Sequence, residues 1–263
     1  MTLFQVKQLV KNFGGLNAID HLDLHVNKGE VVSIIGPNGA GKTSVFNVIT
    51  GFYPPTSGDI IFEDRLITGL TPDEITGRGI ARTFQNVRLF TNMTIIENVL
   101  VGMHRRQDYR TDVINTILRT PHYQKIERRM RDEAIDILSF FGKRLVGYRL
   151  NQPAFVLSYA NRRRLEIARA MATGARMLLL DEPAAGMNPR ETREITELIG
   201  RLRDERGYTI LVIEHDMRLV REVSDRVIAM DYGRKIAEGT YDAVANDPNV
   251  IEAYLGRTTT TEK

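Results

Sequence analysis

Short apolar runs alternate with longer stretches of helical periodicity along most of the chain. Three of the four clearest runs are nearly continuous in apolar residues, which is typical of strands covered on both faces. Strand followed by helix, repeated along a chain, implies right-handed crossovers and a mostly parallel sheet. The predicted strands are Val31–Ile35, Met177–Leu180, Thr209–Ile213 and Val227–Met230. The predicted helices are Thr43–Thr50, Asn161–Thr173, Pro189–Arg206 and Met217–Val223.

Two regions depart from this alternation. The first thirty residues carry shorter alternating strands with turns at Gly14–Gly15 and Asn27–Gly29, which predicts an antiparallel flank. From about residue 94 to 151, the stretches Thr94–Met103 and Gln124–Phe141 have apolar residues at helical spacing among many charges. We therefore expect an α/β fold with a mostly parallel sheet, an N-terminal antiparallel β flank and a helical insert.

Composition narrows the function classes. The 263 residues are 42% hydrophobic, enough for one large core or for a main domain with a small insert. The chain has no cysteine, which excludes a disulfide framework and a thiolate zinc site. The formal charge of +3 is typical of a scattered, solvated surface rather than of a nucleic-acid-binding face. We expect no signal peptide and no membrane-spanning segment, because no apolar run has the required length.

A glycine-rich motif follows the first of the buried-type strands. Residues 36–43 match the pattern G-x-x-x-x-G-K-[S/T] between a strand and a helix, the context that a phosphate-binding loop requires. Glycines let successive backbone N–H groups turn toward a polyphosphate, to which the helix adds its positive N-terminal end. Lys42 can reach the terminal phosphates of ATP, and the Thr43 hydroxyl can hold Mg²⁺. The residues predicted to bind ATP here are Gly36, Pro37, Asn38, Gly39, Ala40, Gly41, Lys42, Thr43 and Ser44.

Two acids follow the strand Met177–Leu180. An acid at the end of a buried parallel strand lies at the carboxyl edge of the sheet, where open α/β folds bind ligands. Asp181 is suited to the outer coordination of Mg²⁺, and Glu182 to activating the water that attacks the γ-phosphate. We predict Glu182 as a catalytic residue and Asp181 as a metal-site residue.

Further segments in a fixed order make the chain resemble an ABC ATPase. Arg82-Thr-Phe-Gln85 is similar to that family's Q-loop, and Ile213-Glu-His215-Asp resembles its switch-histidine segment. Leu157-Ser158-Tyr-Ala-Asn161 stands where the family has its signature, and residues 184–189 stand where it has its D-loop. The resemblance runs from about residue 3 to 256 and implies the P-loop NTPase core of the ABC ATPase fold.

The resemblance implies roles for four further residues. Gln85 would bind Mg²⁺ and sense the transporter, and His215 would contact the γ-phosphate. Ser158 would act catalytically in trans: it would cap the next helix, whose positive end faces the ATP of an opposing subunit. Phe13 stands at the place of the adenine-stacking aromatic, although a core-packing phenylalanine remains open as an alternative.

Within the family, the chain looks closest to the ATP-binding subunits of branched-chain amino acid importers. Residues 82–90, 163–170, 181–189, 213–217 and 250–256 carry this similarity. In the signature, Ala160 and Asn161 replace the Gly and Gln of the subfamily. Because a Cβ at position 160 could crowd the opposing phosphate, slower hydrolysis is one hypothesis, and a tolerated substitution is the other.

The expected organisation also follows from the resemblance. It is a single ABC ATPase domain over residues 1–257, with a RecA-like core at about 1–93 and 174–257, a helical subdomain at about 94–173 and a flexible tail at 258–263. The expected partners are a second ABC ATPase subunit, identical or a sister, integral membrane permease subunits and, indirectly, a solute-binding protein, with no nucleic acid. The expected location is the cytoplasmic face of the membrane. A transporter for urea or amides, a soluble ABC ATPase and a nucleotide-binding module without hydrolysis remain as alternatives.

Overall fold

The computed structural model describes residues 1–104 and 120–255. The chain folds into two compact units, Met1–Arg82 with Arg176–Lys263, and Thr83–Ala175. The tail predicted at residues 258–263 lies outside the described residues. None of the helices in the described ranges combines the length and the apolar character needed to cross a bilayer.

Within the described residues, ten strands form the two sheets of the first unit. They are β1 (Thr2–Phe13), β2 (Leu16–Asn27), β3 (Val31–Ile35), β4 (Ser57–Phe62), β5 (Arg65–Leu66), β6 (Ile80–Arg82), β7 (Met177–Asp181), β8 (Thr209–Ile213), β9 (Arg226–Asp231) and β10 (Arg234–Gly239).

The larger sheet has the strand order β10-β9-β3-β8-β7-β6. All its neighbouring pairs are parallel except β10 with β9, which are antiparallel. Every residue of β3, β7 and β8 is buried, as their continuous apolar sequences predict for strands covered on both faces. The mostly parallel sheet is confirmed, and the four predicted strands match the observed ones to within one residue at each end.

The smaller sheet, in the order β2-β1-β4-β5, is antiparallel throughout. The predicted antiparallel flank is therefore confirmed, but its strands are not short, since β1 and β2 each have 12 residues. Several register shifts interrupt their ladder, and Gln8 and His21 have positive φ. Bulges of this kind bend a long strand, which is why its alternation reads as shorter pieces.

Nine α-helices are described. They are α1 (Lys42–Ile49), α2 (Pro72–Arg78), α3 (Ile95–Met103), α4 (Pro121–Ser139), α5 (Tyr159–Ala172), α6 (Pro189–Asp204), α7 (Met217–Val223), α8 (Tyr241–Ala245) and α9 (Pro248–Leu255). Three 3₁₀ helices, Gly142–Arg144, Gly147–Asn151 and Ala154–Val156, lie between α4 and α5.

The main core of the first unit lies between the two sheets and includes α1. It joins Phe4 of β1, Ile34 of β3 and Phe46 of α1, all fully buried, with residues of β7, β8 and β9. Burying large aromatic and β-branched side chains from both sheets removes apolar area from water at about 25 cal/mol per Å². This core fixes β3 and α1, and with them the two ends of the glycine-rich loop.

The second unit contains α3, α4, α5 and the 3₁₀ helices, so the predicted insert is helical where it is described, while its residues 105–119 lie outside the described ranges. Helices α3 and α5 approach closely at Gly102, where a Cβ would lie 2.5 Å from the Arg169 carbonyl oxygen. α3 begins with a capping box in which Thr94 and Glu97 satisfy each other's backbone N–H groups.

Candidate functional site

The loop between β3 and α1 has the backbone that phosphate binding requires. Gly36, Gly39 and Gly41 all have positive φ, at 150°, 85° and 96°. A Cβ on Gly36 would lie 2.2 Å from the Met230 carbonyl oxygen, and one on Gly41 would lie 2.3 Å from that of Ala18. Both positions therefore demand glycine for conformation and for space.

Lys42 is the first residue of α1 and is 6% exposed. Its Nζ donates to the carbonyl oxygens of Gly36 at 2.7 Å and of Pro37 at 2.9 Å. Burial lowers the pKa of Lys42, and the carboxylates of Glu182 and Asp181 act against that shift. The ammonium group thus lies between the loop and the acids at the end of β7.

The loop is also held from the other end of the chain. The backbone N–H of Gly36 donates to the hydroxyl of Tyr254 in α9 at 2.8 Å. Gly36 itself is buried, so its N–H needs an acceptor within the protein. Sequence reasoning missed Tyr254, although its segment was among those that carry the resemblance.

Asp181 ends β7 and is 2% exposed. Arg82, at the end of β6, donates to the Asp181 carboxylate at 2.8 Å and to the Asn47 side-chain oxygen in α1 at 2.7 Å. One buried guanidinium therefore joins β7 to the helix that follows the phosphate loop. Arg82 was quoted from the sequence only as part of the Gln85 segment, and the strand Ile80–Arg82 that positions it was not predicted.

Glu182 follows Asp181 with a φ of 47°, in the left-handed region that non-glycine residues rarely occupy. Such a conformation costs roughly 1–2 kcal/mol and persists only where the surroundings impose it. Its N–H donates to the Ile213 carbonyl oxygen at 2.9 Å, which ties the turn to the end of β8. The His215 Nε2 lies 2.9 Å from the Glu182 Oε1, so the structure brings these two predicted residues together.

Glu214, between Ile213 and His215, is a third acid of this region and is 3% exposed. It accepts hydrogen bonds from the backbone N–H groups of Ala184, His215 and Asp216. The sequence reasoning quoted Glu214 only as part of a motif. An acid directly after a fully apolar strand was the signal that could have marked it as buried.

Phe13, at the end of β1, is 41% exposed, so the core-packing alternative is wrong. Its ring packs edge-to-face on Tyr53 with centroids 5.2 Å apart. The Lys11 ammonium lies 4.9 Å from the Phe13 ring centroid. This exposed aromatic pair can stack on a flat ring, and Tyr53 is a member that sequence reasoning missed.

Ser158 occupies the N-cap position of α5, but its side chain makes no capping hydrogen bond. The prediction that its hydroxyl caps the helix is therefore wrong. The guanidinium of Arg162, in the first turn of α5, donates to the carbonyl oxygens of Leu157 at 3.0 Å and Phe155 at 2.7 Å. These bonds tie the start of the helix to the segment before it. Ser158 is exposed, and Ala160 is 2% exposed within the first turn.

The Gln85 segment is anchored on α5 within the second unit. The side chain of Arg163 is fully buried and donates to the Gln85 carbonyl oxygen at 2.6 Å and to that of Phe84. Glu166 accepts from the Arg88 N–H at 3.1 Å and pairs with Arg163 at 2.9 Å. Gln85 itself is exposed. Sequence reasoning used both charged residues only as family markers and missed their contacts.

Each of the residues predicted to hold Mg²⁺ carries a hard oxygen donor. Thr43 offers a hydroxyl, Gln85 an amide oxygen and Asp181 a carboxylate, which are the ligand types that Mg²⁺ takes. Among residues 1–104 and 120–255, no group of three or more His, Asp or Glu side chains is arranged to hold a metal. Mg²⁺ does not need one, because it commonly binds one or two protein oxygens together with substrate phosphates and water. The donor set fits the ion.

Comparison with known proteins places these features in a family. Residues 19–185 match the family model described as ABC transporter, and residues 234–258 match the one described as branched-chain amino acid ATP-binding cassette transporter. The chain is 47% identical, over 97% of its length and 98% of the relative, to the high-affinity branched-chain amino acid transport ATP-binding protein LivG of Escherichia coli (strain K12). It is 35% identical to an ABC transporter's ATP-binding cassette solved in its ADP conformation, with a TM-score of 0.83 and coverage of 98% of this chain and 100% of that one. A dimeric post-hydrolysis cassette bound to ADP and Pi is 26% identical, with a TM-score of 0.72 and coverage of 91% and 99%.

Proposed function

The chain belongs to the ABC transporter family, and from that premise we propose that it is the motor subunit of an importer for branched-chain or related amino acids. Members of this family bind and hydrolyse ATP. The match of residues 234–258 to a branched-chain amino acid transporter model supports the choice of solute. So does the 47% identity to a branched-chain amino acid transport protein.

One observation carries the proposal. Three neighbouring parallel strands, β3, β8 and β7, end at the same edge of the sheet, and each leads into a predicted functional segment. β3 leads to the glycine-rich loop and Lys42, β7 to Glu182, and β8 to His215. Because the carboxyl ends of parallel strands meet at one edge, a triphosphate in the loop would have its γ-phosphate near the acid and the histidine.

Each of these residues then has its own role in ATP hydrolysis. Lys42 leaves the carbonyl oxygens of its own loop for the terminal phosphates, a stronger, charge-assisted contact. Glu182 accepts the proton of the attacking water, and His215 holds Glu182 and contacts the γ-phosphate. The Phe13–Tyr53 pair stacks on adenine. Thr43, Gln85 and Asp181 would hold Mg²⁺, which would supply neutralisation of the phosphate charge.

The proposed assembly has two such subunits in twofold, head-to-tail contact. The exposed Ser158 and the positive N-terminal end of α5 would close over the ATP held by the partner's loop. The 26% identical cassette of similar fold is dimeric, which supports this arrangement. The pair would lie on the cytoplasmic face of the membrane, bound to permease subunits that receive solute from a solute-binding protein.

The test is transport by the reconstituted assembly. The tagged chain is purified from solubilised native membranes with the membrane proteins that accompany it and is inserted into liposomes with the solute-binding protein. We expect ATP-dependent uptake of leucine, isoleucine or valine. The Glu182→Gln variant should bind ATP but turn over at least about 100-fold more slowly, since general-base catalysis contributes roughly 10²–10⁴-fold.

The control variant is Glu222→Gln, which makes the same chemical change at an exposed position of α7 and should keep full activity. Uptake of urea or amides in place of these amino acids would overturn the proposed solute. Purification without any membrane protein would favour a soluble ABC ATPase. Unchanged hydrolysis by Glu182→Gln would remove Glu182 from its role.

A further inference from the structure

Glu214 lies at the junction of two segments that the proposed mechanism uses. The first follows Glu182 and includes Ala184, and the second contains His215 and Asp216. Glu214 Oε1 accepts from the Ala184 N–H at 2.7 Å. Its Oε2 accepts from the N–H of His215 at 2.8 Å and of Asp216 at 3.1 Å. The two oxygens of this buried carboxylate thus hold different segments: Oε1 accepts from the first segment and Oε2 from the second.

These three N–H groups belong to no strand or α-helix ladder. Ala184 lies in the turn after β7, and His215 and Asp216 lie between β8 and α7. Hydrogen bonds from backbone N–H groups to an ionised carboxylate are roughly twice as strong as bonds between neutral groups. Glu214 is almost inaccessible to water, so its carboxylate depends on these three N–H donors in place of solvent.

The geometry points to a role for Glu214 beyond the catalytic set. We propose that Glu214 is a positioning residue: its carboxylate locks the Ala184 segment to the His215 segment and so keeps His215 against Glu182. This proposal rests on the roles proposed above for Glu182 and His215. It also implies that displacement of residues 184–189, the predicted contact with an opposing subunit, moves His215 directly.

Glutamine is the informative substitution because it nearly preserves shape. A carboxamide has one accepting oxygen and one NH₂ group, which is only a donor. In Glu214→Gln, the single oxygen can accept from Ala184, or it can accept from His215 and Asp216. The N–H groups of the other segment then face an NH₂ group, which cannot accept a hydrogen bond. The two segments would therefore lose their shared anchor while the core around β7 and β8 keeps its apolar packing.

The first measurement is amide hydrogen exchange of the full-length wild-type protein, resolved by NMR. The amides of Ala184, His215 and Asp216 should exchange as slowly as those of β8, although they lie in loops. Rapid exchange at these three amides would overturn the proposal without any variant. In Glu214→Gln, exchange at one segment or both should be at least about tenfold faster, with β8 unchanged and the His215 ring resonances shifted.

The second measurement is hydrolysis by the reconstituted transporter. Glu214→Gln should lower kcat at least about tenfold and leave the Kd for ATP within about twofold of wild type, whereas Glu222→Gln changes neither. Equal kcat in Glu214→Gln and wild type would overturn the proposal. So would faster exchange across all of β8, because that pattern indicates a general loss of stability.

The two proposals fail in different ways. A wild-type assembly without ATP-dependent uptake contradicts the proposed function, whatever Glu214 does. An active wild type, an inactive Glu182→Gln variant and a fully active Glu214→Gln variant contradict only the role of Glu214.

Discussion

Removing the charge of Arg163 should destabilise the protein more than any exposed arginine substitution. The side chains of Arg163 and Glu166 are 0% and 1% exposed, and they pair at 2.9 Å. Arg163→Met keeps the length of the side chain but leaves the Glu166 carboxylate buried without its ion partner. It also removes the donors to the carbonyl oxygens of Phe84 and Gln85.

The expected magnitude follows from that geometry. Breaking a buried ion pair by removing one partner costs about 3–5 kcal/mol, a large part of a typical unfolding free energy of about 5–15 kcal/mol. The control, Arg190→Met, breaks a 3.4 Å pair with Glu194 in which the arginine is 80% exposed. Exposed pairs of this kind contribute about 0–1 kcal/mol.

The loss of stability caused by Arg163→Met should also depend on pH. Burial raises the pKa of Glu166 above its ordinary value of 4.5, and the nearby Arg163 charge opposes this shift. Without Arg163, that pKa rises further. A carboxyl whose pKa is raised in the folded state destabilises the fold as pH rises through that pKa, and the effect vanishes below the unfolded value. The destabilisation by Arg163→Met should therefore be smallest below pH 4.5 and largest at neutral pH.

Urea unfolding, followed by far-ultraviolet circular dichroism, measures the free energy of unfolding at several pH values for Arg163→Met, Glu166→Gln and the double variant. The double variant should be more stable than the sum of the two single losses predicts, because neither member of the Arg163–Glu166 pair is left buried without the other. A loss below about 1 kcal/mol for Arg163→Met, or one that does not change with pH, would refute the reasoning.

Two further predictions concern the phosphate site. Ala160→Gly should raise ATP turnover of the assembled transporter if the Cβ crowds the opposing phosphate, at a cost of about 1 kcal/mol in helix stability; unchanged turnover in the ATPase assay would reject the crowding hypothesis. Tyr254→Phe removes the acceptor of the buried Gly36 N–H, a loss of about 1–3 kcal/mol, so the Kd for ATP should rise about 5- to 140-fold. Tyr148→Phe, at a 75% exposed position, is the control, and equal ATP affinity in the two variants would contradict the role of Tyr254.

The local segments of this protein could be predicted from its sequence because local patterns specify them. Nearly continuous apolar runs indicate β3, β7 and β8, since a strand covered on both faces needs apolar residues at most of its positions. The glycines of the phosphate loop are likewise a local requirement, and their positive φ values agree with it. Helix boundaries were predicted less accurately than the strands. α5 begins at Tyr159, two residues before the predicted start, because Ser158 is already the N-cap.

Contacts between distant segments could not be predicted in the same way. Sequence spacing does not reveal that Arg82 reaches Asp181, 99 positions later, or that Tyr254 reaches Gly36, 218 positions earlier. Nor does it show that the Ser158 side chain makes no capping hydrogen bond, or that Arg162 donates to the carbonyl oxygens of the segment before the helix.

The elements, the phosphate loop and the family can thus be inferred from residue types, because each depends on residues at short, fixed spacing. Which buried polar groups satisfy one another depends on how the chain folds in three dimensions. Glu214 is the clearest case: its carboxylate becomes an anchor for two segments only when β7 and β8 lie side by side and the N–H groups beyond both strands turn toward it. A buried charged group needs hydrogen-bond partners inside the fold, and those partners can lie far away along the chain. A local sequence pattern therefore does not identify them.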